Sequence, residues 1–140
     1  MLDETTNLLS LLKDPSLLAT QGYLAGEWVD GDESQTFEVT NPARGDVIAH
    51  VADFSREQAA QAIAAAETAQ KDWAAMTGKE RSVILRNWFN LMIENADDLA
   101  TILTVEQGKP LAEAKGEIVY GASFIEFFAE EAKRIYGETI

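Results

Sequence analysis

The stretch from Val105 to Tyr136 constrains the fold more than any other part of the chain. It opens Val-Glu-Gln-Gly-Lys-Pro and then runs on without a Gly-Pro turn. Gly108 ends the preceding helix and Pro110 starts the next, because a proline at the first helical position gives up only an N–H that has no intrahelical partner. Leu111, Ala114, Ile118, Ala122, Ile125, Ala129, Ala132 and Tyr136 then recur at steps of three and four, which puts them on one face. Val119, Phe124, Phe127, Phe128 and Ile135 widen that face until most of the circumference between Ile118 and Ala129 is apolar. Charges gather at the ends, Glu113, Lys115 and Glu117 before, and Glu130, Glu131, Lys133 and Arg134 after. A helix apolar nearly all round needs cover on several sides. Its middle must therefore be packed by neighbouring structure.

The rest of the chain is ordered around that helix. Leu8, Leu9, Leu11, Leu12, Leu17 and Leu18 flank a Lys13-Asp14-Pro15 break, which predicts a short helix with a frayed start within an amino-terminal extension, residues 1–20. Tyr23 to Val29 reads as a tight hairpin about Ala25-Gly26, and Asp30 to Ser34 as a loop. Phe37 to Thr40 alternates like a strand and stops at Asn41-Pro42. Gly45-Asp46 turns the chain into a partner strand, Val47 to Val51. From Ser55 the period becomes helical. Ser55 with Gln58, and Thr77 with Glu80, form capping-box signatures at the starts of two helices. The first carries a narrow alanine-rich stripe (Ala59, Ala62, Ile63, Ala66, Ala69, Trp73). The second offers Ile84, Leu85, Trp88, Leu91 and Met92 as its inner face. A third helix begins at Asp97, turns Leu99, Ala100 and Leu103 inward and stops at Gly108. Past the long helix, Gly137 to Ile140 reads as the start of an extended segment without a partner, as in a chain that has been cut. The expectation is a short antiparallel β meander followed by four helices.

Bulk properties exclude more than they assign. A chain of 140 residues is the size of one domain, and no run of about 18 apolar residues exists to cross a membrane. Met1-Leu2-Asp3-Glu4 carries acids where a secretory signal carries bases, which predicts no export and a cytoplasmic location. A net charge of −13 repels phosphate backbones and anionic lipid, so neither nucleic acid nor membrane is an expected partner. The absence of cysteine removes thiolate chemistry from these residues, and the single histidine, His50, reads as an ordinary strand residue.

No motif in the chain closes a catalytic cycle. Gln107-Gly108-Lys109-Pro110 is not a phosphate loop, which needs glycine where Leu103 stands and Ser or Thr where Pro110 stands. The carboxylate pairs Glu113/Glu117 and Glu126/Glu130 have i,i+4 spacing, but a carboxylate site needs an enclosed pocket; a solvated helix flank is the simpler reading.

Three pieces in order nevertheless carry a resemblance. Glu27-Trp28-Val29, then Asn41-Pro42 with Gly45 and Ile48, then Glu106-Gln107-Gly108-Lys109-Pro110-Leu111-Ala112-Glu113-Ala114 resemble the amino-terminal region of the aldehyde dehydrogenase family. The closing stretch from Tyr120 to Glu138 is similar in particular to bacterial succinate-semialdehyde dehydrogenases. The match runs from about Leu8 to Ile140 and corresponds to only the leading part of such an enzyme.

The resemblance implies an α/β family fold, with residues 21–140 as an incomplete (truncated) amino-terminal part of the coenzyme-binding domain. It implies NAD(P)-dependent oxidation of an aldehyde, succinate semialdehyde in 4-aminobutyrate breakdown, by a homo-oligomeric enzyme. In the family a cysteine thiolate attacks the aldehyde, hydride passes to the nicotinamide, and a glutamate activates the water that releases the acid. None of those groups has a counterpart here, so the resemblance assigns no catalytic and no cofactor-binding residue, and NADP or NAD is bound by the missing part. It does imply a monovalent cation held through main-chain carbonyls at Thr40 and Glu106, since carbonyl oxygens suit a hard cation. It also implies that the long helix borders the substrate tunnel, with Tyr120 or Phe124 in its wall. Two other functions stay open at this point: an aldehyde dehydrogenase of different substrate, and a non-enzymatic helical module that docks a partner on the Tyr120–Phe128 face.

Overall fold

The computed structural model describes residues 4–140, and the very start of the extension, where fraying is expected, lies outside the described residues. The elements are α1 (Glu4–Leu11), β1 (Gly22–Leu24), β2 (Glu27–Val29), β3 (Thr36–Thr40), β4 (Val47–Ala52), α2 (Arg56–Ala75), α3 (Gly78–Glu94), α4 (Ala96–Gln107) and α5 (Leu111–Glu131). Single 3-10 turns occupy Pro15–Leu17 and Asp32–Ser34.

The β structure is two separate antiparallel hairpins, β1–β2 and β3–β4. The first turns at Ala25 (φ 53°) and Gly26 (φ 96°), both left-handed, as a two-residue hairpin loop requires. The second contains a bulge. Val39 pairs with Ala49 and Thr40 with Val47, which leaves Ile48 as the extra residue on β4. That break in alternation lets Ile48 and Ala49 both turn inward, each 3% exposed. The hairpins are joined where the Ala52 N–H donates to the Thr20 carbonyl (2.8 Å).

Leu8, Leu12 and Ile48 form one small core, flanked by Leu18, Val39, Ile102 and Val105. α1 thus lies on β4 and α4. The tie is completed by the Asp14 N–H, which donates to the buried Asp98 carboxylate at 2.8 Å.

Both capping boxes form as their sequences predict. Gln58 does more than cap. Its side-chain amide donates to the Asp30 carbonyl (2.9 Å) and its oxygen accepts from the Asp32 N–H (3.0 Å), clamping the preceding loop onto α2. The alanine stripe of α2 faces β1 and is otherwise open, with Ile63 exposed.

α5 packs chiefly on α3 and α4. Its inner face is made of small residues: Ala114, Ala122 and Ala129 are fully buried, as is Ala100 of α4. Ile118 and Ile125 are half-buried beside them. Two expectations need correction here. Of the inner face expected for α3, Leu85 and Met92 are half-buried, but Ile84, Trp88 and Leu91 are exposed, and Ser82, Arg86 and Phe89 take their place. Ser82 is buried. Next, α5 ends at Glu131 rather than running to Tyr136. Its last turn tightens through Lys133 N–H to Glu130 and Arg134 N–H to Glu131 bonds, where Ala132 meets the backbone of Gly78. Residues 134–140 join no ladder among the described residues, in keeping with a closing segment that has no partner here.

The cover that the long helix demands is not supplied by these residues. Tyr120, Phe124, Phe127 and Phe128 are 48–66% exposed, and no large side chain is fully buried among the described residues. The accessible surface is 10050 Å², against roughly 7,200 Å² for a compact monomer of this mass. The aromatic face of α5 is one part of that excess.

Candidate functional site

The segments that carry Thr40 and Glu106 come together at Pro42 and Gly108. Thr40 ends β3 at the bulge, and the next residue organises a turn. The Asn41 N–H donates to the Asp46 carbonyl (2.9 Å), the Asn41 side chain accepts from the Ala43 N–H (2.9 Å), and the Gly45 N–H donates to the Asn41 carbonyl (2.7 Å). Arg44 braces the turn with a bidentate pair to Asp46 at 2.8 and 2.7 Å. Glu106 lies in the last turn of α4. There Gly108, at φ 81°, closes the helix by donating to the Thr104 carbonyl (2.9 Å). The segments touch where Gly108 meets the Pro42 ring, and a Cβ on Gly108 would stand 2.9 Å from Pro42 Cγ.

The last carbonyls of a helix outrun its own N–H donors and carry the negative end of its dipole. Thr40 and Glu106 are both exposed residues. Side-chain ligation is a different matter: among the described residues no three His, Cys, Asp or Glu groups converge.

The other candidate group is the outer face of α5. Tyr120 and Phe124, one turn apart, stack edge-to-face with centroids 4.9 Å apart, and Phe127 and Phe128 do so at 5.3 Å. The stripe points away from α3 and α4, where it can line a passage or meet further protein.

Three of the four paired carboxylates, on a flank that stays partly exposed, are held in ion pairs. Glu126 and Glu130 both accept from Arg86 of α3, at 2.6 and 2.7 Å, and Glu117 pairs with Lys109. Lys133 and then Arg86 hold the Glu130 carboxyl below its ordinary range, while Glu126 first and Glu130 second push the Arg86 guanidinium still higher. The Arg86 pairs with Glu126 and Glu130 form an ionic clasp between α3 and α5. Arg86 carried no signal in the sequence, since its partners lie about forty residues away on another helix. His50 is an exposed strand residue, 3.7 Å across the ladder from Glu38. Among the described residues no helix is long and apolar enough to cross a membrane.

Comparison with known proteins fits this geometry. The model of the aldehyde dehydrogenase family matches residues 28–140. A glutarate-semialdehyde dehydrogenase of Pseudomonas putida is 61% identical over 129 residues, which cover 92% of this chain and 27% of that protein. An NADP(+) succinate-semialdehyde dehydrogenase of Escherichia coli is 56% identical over the same shares. Among solved structures, an aldehyde dehydrogenase of Brucella melitensis superposes with a TM-score of 0.90 at 58% identity, covering 92% of this chain and 27% of that one. A betaine aldehyde dehydrogenase of Staphylococcus aureus in complex with NAD+ gives 0.86 at 29% identity, over 98% and 27%. The chain spans about a quarter of the length of the curated relatives it matches. It belongs to the aldehyde dehydrogenase family.

Proposed function

We propose, with family membership as the premise, that this chain is the amino-terminal part of an NAD(P)-dependent succinate-semialdehyde dehydrogenase, which oxidises succinate semialdehyde to succinate in 4-aminobutyrate breakdown. The observation that carries the reading is identity of 56–61% over 129 residues to enzymes named for semialdehydes that end in a carboxylate. Residues 21–140 are then part of the coenzyme-binding domain and residues 1–20 an extension that docks on it. The bound nicotinamide, NADP or NAD, supplies the hydride acceptor and is held by residues outside this chain. The nucleophile also comes from elsewhere, since the chain has no cysteine.

Three tasks fall to the residues present. The main-chain carbonyls of Thr40 and Glu106 hold a monovalent cation that ties β3 to α4. Tyr120 and Phe124 stand in the wall of the substrate passage. The remaining aromatic face of α5 is buried by the rest of a cytoplasmic homo-oligomer, which takes a small aldehyde and neither nucleic acid nor membrane as partner.

A second reading, oxidation of glutarate semialdehyde, is favoured by the 61% relative. The test is to assay the complete gene product on succinate semialdehyde, glutarate semialdehyde, acetaldehyde and betaine aldehyde, with NAD and with NADP. A clear preference for succinate semialdehyde is expected. Preference for the five-carbon substrate selects the second reading, and comparable rates on all four sink both.

A further inference from the structure

α5 is seated on its neighbours by alanines, and Ala114, Ala122 and Ala129 are fully buried. Small side chains let helices approach closely but raise only low ridges, which specify rotation about the helix axis weakly. Ile118 and Ile125 are half-buried beside the alanines, and Lys115 of α5 donates to Asp97 of α4 at 2.5 Å, a single-point contact. A two-point contact comes from α3. Arg86 sends one guanidinium nitrogen to Glu126 (2.6 Å) and another to Glu130 (2.7 Å), two carboxylates a single turn apart on α5. The guanidinium carbon also lies 5.2 Å from the Phe89 ring centroid, on its own helix. A planar fork bonded to successive turns of a facing helix holds both its roll and its height.

Roll decides where the outer rings stand. A rotation of about 20° moves a group about 6 Å off the helix axis by about 2 Å. We propose that Arg86 is a positioning residue for substrate selection, whose clasp of Glu126 and Glu130 sets the place of Tyr120 and Phe124 in the passage wall. The inference rests on the reading that those two rings border the passage, and its test separates the two.

In the complete gene product, Arg86→Met is expected to change the ratio of kcat/KM for succinate semialdehyde over acetaldehyde by about tenfold, chiefly through KM, with kcat for acetaldehyde within about twofold. Arg86→Lys, a point charge in place of a fork, should fall between. The double variant Glu126→Gln/Glu130→Gln should reproduce Arg86→Met, and combining all three should add nothing further. An unchanged ratio with only a lowered Tm, or a uniform loss of kcat on every aldehyde, overturns the proposal. Should Arg86→Met fail to fold, the glutamine pair, which keeps side-chain shape and Arg86 itself, decides alone. Phe124→Ala and Tyr120→Ala are run in parallel. If they alter the ratio and the clasp variants do not, the clasp proposal fails while the passage reading stands; if neither ring alters it, the passage reading fails and the clasp proposal falls with it.

Discussion

Gly108 lies against Pro42, so close that a methyl group at position 108 would stand 2.9 Å from the proline ring. This contact joins the turn after β3 to the stop of α4 and brings the Thr40 and Glu106 segments side by side. Neither residue has its place fixed by sequence neighbours, because more than sixty positions separate them. A glycine that ends a helix and a proline that ends a strand are each common punctuation. Their contact turns two local signals into one joint.

Gly108→Ala is expected to be destabilising on two counts. A non-glycine residue at φ 81° costs about 1–2 kcal/mol, and the added methyl pushes against Pro42. Gly108→Asn should be milder in backbone strain, since Asn tolerates the left-handed region. Both should lower Tm and weaken the response of the enzyme to added potassium. A potassium response identical to wild type in a folded Gly108→Ala protein would separate this joint from cation binding.

Asp98 is 5% exposed and accepts the Asp14 N–H at 2.8 Å. Asp98→Ala leaves that donor without its partner and should cost about 1–3 kcal/mol. Asp98→Asn keeps an acceptor oxygen and should cost less. Chemical denaturation gives both values. Limited proteolysis should show faster cleavage near Lys13 in the alanine variant, because the segment before β1 loses its tether to α4.

Stability should fall in acid. Lys115 and then Lys13 hold the Asp97 carboxyl low, Thr77 does the same for Glu80, Ser16 for Asp14, and Lys133 followed by Arg86 for Glu130. A carboxyl whose folded pKa is depressed stabilises the fold above its unfolded value. That stability is lost as pH falls from about 4.5 through the lower folded values. The Tm gap between wild type and Asp97→Asn should be widest near pH 7 and close at the acid end. A constant gap would mean that Asp97 acts by shape rather than charge.

Residues 1–140 expressed alone should take up the dye ANS and associate at micromolar concentration, because Trp88, Leu91, Phe127 and Phe128 are all more than half exposed. Phe127→Ser/Phe128→Ser should reduce both effects without loss of helical signal. A monomer that unfolds cooperatively and ignores the dye would favour the self-sufficient helical module instead.

Local chemistry was legible in the sequence. The capping boxes at Ser55 and Thr77, the hairpin at Ala25-Gly26 and the helix stop at Gly108 all follow from residues within four positions of one another. So did the demand of the long helix for cover, which is a property of its composition. The inner face of α3 was not legible. Its apolar residues also surround the helix, and only contact with α5 selects Ser82 and Arg86 over Ile84 and Trp88.

What the sequence by itself determined is the series of elements and the family they belong to, because caps, turns and periodicity act between neighbours and are written where they act. What only the tertiary structure decided is rotation and meeting. The Arg86 clasp on Glu126 and Glu130, the Gly108 seat on Pro42 and the end of α5 at Gly78 each join residues forty or more positions apart. Such pairs come together only after helices pack, when buried alanines set the distance and a few charges set the angle.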